Sequence, residues 1–144
     1  MAMVSEKVSI AADSVTVFTM YTERMSEWWP WRGKYRYTFA PEGVEPDRLI
    51  MEHFIGGRFY ERFADGTEHQ IGSVTVWKPH QEVAYTWEIE EWDEASTVTV
   101  RFLEEGGRTT VVVEHTNLPD DATAMGYSEG HREILGAFVD VVEG

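Results

Sequence analysis

At 144 residues the chain has the length of one domain, and a domain of this size buries roughly two-thirds of the surface that its unfolded form exposes. Its 26 acidic residues against 12 basic ones leave a formal net charge of -14, which repels phosphate backbones and anionic lipid and argues against a nucleic-acid partner. The absence of cysteine excludes disulfides, thiolate chemistry and cysteine-based metal sites, and no run of about 18 apolar residues occurs that would predict membrane insertion.

No proline-rich stretch, repeat or charge block divides the chain, so a single domain over residues 1–144 is expected. The first residues lack a basic region followed by an apolar run, and a cytoplasmic location is expected. Residues 4–10 alternate as a strand. Ala11-Ala12-Asp13-Ser14 then supplies a helix cap ahead of Val15, Val17, Phe18 and Tyr21, which recur at helical spacing. The string Glu27-Trp28-Trp29-Pro30-Trp31 closes this helical region, because Pro30 disfavours helix at Trp29. Arg32, Lys34 and Arg36, the nearest approach to a basic patch, read as the solvated face of a strand.

Over residues 34–116 the period changes to two, broken at Pro41-Glu42-Gly43, Gly56-Gly57, Asp65-Gly66, Lys78-Pro79-His80 and Gly106-Gly107. This predicts a meander of about six antiparallel strands. A two-residue loop at Asp65-Gly66 sets Phe63 opposite Glu68, Glu61 opposite Gln70 and Phe59 opposite Gly72. Val83, Tyr85, Trp87 and Ile89, then Val98, Val100 and Phe102, then Val111, Val113 and His115 share one buried face. Residues 49–55 leave two phases open: Leu49, Met51, His53 and Ile55, or Ile50, Glu52 and Phe54. After Pro119-Asp120-Asp121 the helical period returns, and Tyr127, His131, Ile134, Leu135, Phe138 and Val142 form one stripe. The inner face of the sheet is the one large apolar surface that can cover it. The expected fold is α+β: a curved antiparallel sheet of six to seven strands around a long C-terminal helix, with two short helices after the first strand.

The order of these elements, together with several strings, resembles the activator-of-heat-shock-protein-ATPase homologue family of the START-like helix-grip superfamily. The strings are Trp28-Trp29-Pro30; Gly56-Gly57-Arg58-Phe59-Tyr60-Glu61-Arg62 with Asp65-Gly66 and Gly72; Trp77-Lys78-Pro79; Val83-Ala84-Tyr85-Thr86-Trp87; and Gly107-Arg108-Thr109 leading to Glu114-His115. The resemblance implies a cavity between sheet and terminal helix, as in lipid, hormone and aromatic-ligand binders and in a minority of cyclases and hydrolases. The superfamily's short helices rim that cavity, which places Trp28, Trp29 and Trp31 at its edge. Where the family often has Trp after the glycine of the terminal helix, this chain has Gly130-His131, which exchanges an apolar wall for a titratable one.

From phase and stripe, Phe59, Tyr85, Trp87, Phe102, Tyr127 and Phe138 are cavity-wall candidates, against the alternative of ordinary core packing. His115 and His131 can both face the cavity, either as hydrogen-bonded interior histidines or as metal ligands; no local metal spacing exists among the five histidines. Glu61 beside Gln70 stands on the wall if the register holds and in solvent if it slips by one. No phosphate-binding glycine motif or catalytic triad order is present, and no cofactor or metal is expected. Three functions follow: binding of a small hydrophobic ligand, acid–base enzymology by Glu61 with His115 or His131, or a chaperone-binding module. A homodimer is compatible with each.

Overall fold

The computed structural model describes residues 2–31, 33–34 and 37–144. Strand β1 (Ala2–Ile10) leads into helix α1 (Ser14–Glu23), capped by Asp13, whose carboxylate accepts the Thr16 amide at 2.8 Å. Val17, Phe18 and Tyr21 are buried, whereas Val15 faces solvent. The one-turn helix α2 (Met25–Trp28) ends where Trp29 becomes extended ahead of Pro30. Six strands follow: β2 (Pro46–Met51), β3 (Arg58–Phe63), β4 (Glu68–Lys78), β5 (Glu82–Trp87), β6 (Ser96–Glu105) and β7 (Arg108–Leu118). Helix α3 (Asp121–Glu143) closes the chain, its Asp120 cap accepting the Thr123 amide at 2.7 Å.

The seven strands form one antiparallel sheet in the order β1-β7-β6-β5-β4-β3-β2, curled into a half-barrel, with α3 packed along β1 and β7. The meander thus runs outward from β7, and β1 pairs beside the last strand rather than beside β2. No helix among the described residues is long and apolar enough to cross a membrane.

Two local expectations need correction, and one choice left open is resolved. The strand pattern begins at residue 46, not 34. Lys34 sits in a bend, its amide donating to the Glu133 carboxylate at 2.9 Å and its ammonium paired with Glu129, so this segment straps onto α3. Arg32 and Arg36 lie outside the described residues. The ambiguity over residues 49–55 resolves with Leu49 and Met51 inward. The strand stops there, and Phe54 and Ile55 stand exposed in a turn that ends at Gly56, with φ of 91°.

The hairpin at Asp65-Gly66 has a three-residue loop. Phe63 bonds Thr67 (amide to carbonyl, 2.8 Å), and Gly66 takes the positive φ of 89° that such a loop demands. Pairing therefore slips by one: Glu61 faces His69 and Tyr60 faces Gln70. A bulge then restores Phe59 opposite Gly72.

The two ends of the grip differ. Where α1 and α2 cover the sheet the interior is solid: Phe102 meets Phe18 at 5.1 Å and Tyr21 at 5.8 Å, and Phe138 meets Trp28 at 4.6 Å and Tyr21 at 5.5 Å. Under the first half of α3 it is not.

Candidate functional site

A cavity of about 440 Å3 lies between the first half of α3 and the sheet, within the range of small-molecule sites. Its walls are largely apolar: Leu49, Ile71, Tyr85 and Val98 from the sheet, Ile134 from α3, and Phe39 from the irregular segment ahead of β2. Of the lining residues only Ala122 and Gly126 are exposed, so the mouth opens beside the first turns of α3. Two glycines one helical turn apart, Gly126 and Gly130, present no side chain to the cavity. A Cβ at Gly126 would meet nothing within 4 Å, and one at Gly130 would only touch Tyr37 at 3.6 Å.

The polar groups are concentrated in two places. Glu61 is 1% exposed, and its two oxygens accept the Phe39 amide at 2.8 Å and the Thr38 hydroxyl. This carboxylate fastens the segment carrying Tyr37, Thr38 and Phe39, all three of which line the cavity. Among the described residues no hydrogen bond joins Glu61 to His115 or His131.

The second group is a chain of bonds at the other wall. The Ser96 hydroxyl donates to the Trp87 carbonyl at 2.8 Å and lies 2.7 Å from His115 Nε2. Having one proton, already directed to Trp87, the hydroxyl accepts there, which places the imidazole proton on His115 Nε2. His115 Nδ1 must then accept from His131 Nε2 at 3.0 Å. Burial, and the proximity of His131, push the His115 pKa down to about 3; burial pushes His131 down to about 4 against the opposing pull of Glu6. Both rings are neutral at pH 7. Beside them Trp87 Nε1 donates to the Tyr127 hydroxyl at 3.0 Å. Among the described residues no group of three or more His, Asp or Glu side chains is disposed to hold a metal ion.

Of the residues singled out by sequence, Trp29, Glu61, Tyr85, Trp87, His115, Tyr127 and His131 line the cavity. The others do not. Trp28 is buried in the solid end, its indole bonded to the Met20 carbonyl at 2.9 Å. Trp31 packs on the outside of that cluster. Phe59 lies behind the wall, edge-on to Tyr85 at 4.7 Å. Phe102 and Phe138 share the right face and stripe but sit toward α1 and α2, which fill the space above them. Gln70 is exposed, accepting from Arg58 at 3.3 Å, because the hairpin slip moved it off the face of Glu61. Residues missed include Thr38 and Phe39, in a segment read as strand that is irregular instead, and the glycine pair. The latter was legible: Gly126 and Gly130 each precede a predicted lining residue.

Residues 11–143 match the family model described as Activator of Hsp90 ATPase homolog 1-like protein. No curated protein matches the chain. Among solved structures it is similar to an anthrahydroquino-γ-pyrone synthase complexed with SUM, at 28% identity and a TM-score of 0.65, with 98% of this chain and 97% of that one covered. It is also similar to protein MLL2253 from Mesorhizobium loti (17% identity, TM-score 0.72, 98% and 96% covered). The Aha1 dimer from Colwellia psychrerythraea gives 16% identity and a TM-score of 0.71, with 99% and 97% covered. With the family model spanning all but the first strand and the last residue, this chain belongs to the Activator of Hsp90 ATPase homolog 1-like family.

Proposed function

We propose that the protein binds a small hydrophobic molecule, aromatic or lipid-like, in the cavity between α3 and the sheet. The observation that carries this reading is the unfilled apolar space itself: interiors normally close to crystal-like density, yet here about 440 Å3 stays open beside a solid core. Titration with the neutral dye N-phenylnaphthylamine is expected to give saturable, blue-shifted emission with one site per chain. Gly126→Phe, which fills the mouth from an exposed helical position, should weaken binding at least about tenfold. Emission that never saturates, or that ignores Gly126→Phe, would remove the proposal.

The glycine pair supports it. Glycine inside a helix costs about 1 kcal/mol relative to alanine, and nothing near Gly126 forbids a methyl group. Gly126→Ala is therefore expected to raise the unfolding free energy of the empty protein by about 0.5–1 kcal/mol in urea melts while weakening dye binding. A helix that forgoes this stability along its cavity side fits a space kept for an occupant.

A second reading, an acid–base enzyme in the same cavity, is favoured by the neutral imidazole pair on its wall. The commitment of both Glu61 oxygens to the segment over residues 38–39 weighs against it.

A further inference from the structure

We infer that Tyr127 donates the hydrogen bond that selects the ligand, and that the ligand is an apolar molecule carrying a carbonyl or comparable acceptor oxygen at the end facing β5 and β7. This rests on the binding function proposed above and specifies its ligand class.

The argument follows the protons. An indole nitrogen can only donate, so in the 3.0 Å contact with Trp87 Nε1 the Tyr127 oxygen is the acceptor. Its own O–H must point elsewhere, and no acceptor for it lies within reach among the described residues. The donors bonded beside it are spent: Ser96 on the Trp87 carbonyl, His115 Nε2 on Ser96, and His131 Nε2 on His115 Nδ1. Tyr127 lines the cavity, and burial raises its pKa, so it keeps its proton.

The ring is also held in place. His115 meets it edge-on at 5.0 Å, Trp92 at 5.7 Å and Trp87 at 6.4 Å, which fixes the direction of the hydroxyl before any ligand arrives. Around it Val98, Ile89 and Ile134 are apolar and offer nothing in exchange. A ligand without an acceptor leaves this donor unmet, whereas one with a carbonyl satisfies it. A site built to donate to a polar atom discriminates against an analogue lacking that atom more strongly than an apolar pocket discriminates by size.

Fluorene and fluorenone, a matched tricyclic pair differing by one carbonyl, test this by calorimetric titration. Fluorenone should bind about tenfold more tightly than fluorene. In Tyr127→Phe the ratio of the two affinities should fall to about one, whatever change the two compounds share. The infrared carbonyl band of bound fluorenone should sit at lower wavenumber in the unsubstituted protein than in a non-donating solvent, a measurement that stands even if the variant does not fold. Equal binding of the pair with an unshifted band overturns the inference and leaves the cavity reading intact. A preference that survives Tyr127→Phe assigns the bond to another donor and overturns it too. Failure of both compounds to bind overturns the cavity reading and this inference with it.

Discussion

Phe138→Ala is expected to lower the unfolding free energy by about 3–5 kcal/mol, the range for deleting a fully buried aromatic side chain. Phe138 is 0% exposed and sits where three helices converge on the sheet, tilted against Trp28 at 4.6 Å and edge-on to Tyr21 at 5.5 Å. Neither neighbour can collapse into the vacated space. Trp28 is tied through its indole to the Met20 carbonyl, and Tyr21 through its hydroxyl to Tyr85 at 2.8 Å. The loss therefore combines lost transfer free energy with an unrelaxed cavity. It also reaches the site, because Tyr21 and Tyr85 form part of the cavity wall. Phe54→Ala is the control: that ring is 56% exposed, and its removal should change stability by no more than about 0.5 kcal/mol. Urea unfolding of both variants measures the contrast. A loss at Phe138 below about 1.5 kcal/mol would mean that the solid end of the grip is looser than its ring contacts imply.

This contrast between Phe138 and the cavity explains what the sequence could and could not convey. Alternation in residues 83–89, 98–102 and 111–115 specified the inner face of the sheet, and the stripe from Tyr127 to Val142 specified the helix that covers it, because burial leaves a period in one dimension. Whether a given inward ring meets another ring or open space depends on how far α1 and α2 reach along that face, which no period records. Trp28, Phe102 and Phe138 were for that reason indistinguishable from Trp87 and Tyr127 until the helices were placed. Glu61 shows a different limit. Its direction was left open and tied to the hairpin register, yet Glu61 stays buried although the pairing slips, because the single extra loop residue at Ala64 moves the partner strand and leaves the alternation of β3 in place. The hairpin dipeptide marks a turn and leaves its length open. The histidine pair was legible only as two residues on facing elements. Their 3.0 Å contact and their common tautomer chain required the register of β6 with β7, which brings Ser96 to the ring of His115.

That chain makes the fold sensitive to mild acid. Both imidazoles have folded-state pKa values, about 3 and about 4, well below the usual value near 6.5, with burial the main cause in each. The sign follows from proton counting. Between about pH 6.5 and 4 the unfolded chain binds protons at these two residues and the folded chain does not, so stability falls as pH drops through that window and is at its plateau above it. Each histidine contributes a slope of up to about 1.4 kcal/mol per pH unit, so the pair should remove about 3–4 kcal/mol between pH 7 and pH 5. The carboxylates of Asp13, Asp65, Glu68 and Asp120 are held below their usual values by hydrogen bonds, chiefly to Thr16, Thr67, Arg58 and Thr123 respectively. Their contribution is therefore lost only at lower pH and does not mimic this one. Urea midpoints taken at intervals from pH 7 to 5 should fall steeply for the unsubstituted protein and stay nearly level for the double variant His115→Leu, His131→Leu, which keeps the Ser96 bond to the Trp87 carbonyl. Parallel curves for the two proteins, or a His115 ring titrating near pH 6.5 by NMR, would show that the pair is wetter and less constrained than its geometry states. Inside the folded protein a proton reaches His131 only near its folded value of about 4, so ligand release caused by charging of the cavity wall should set in at lower pH than the window in which stability falls.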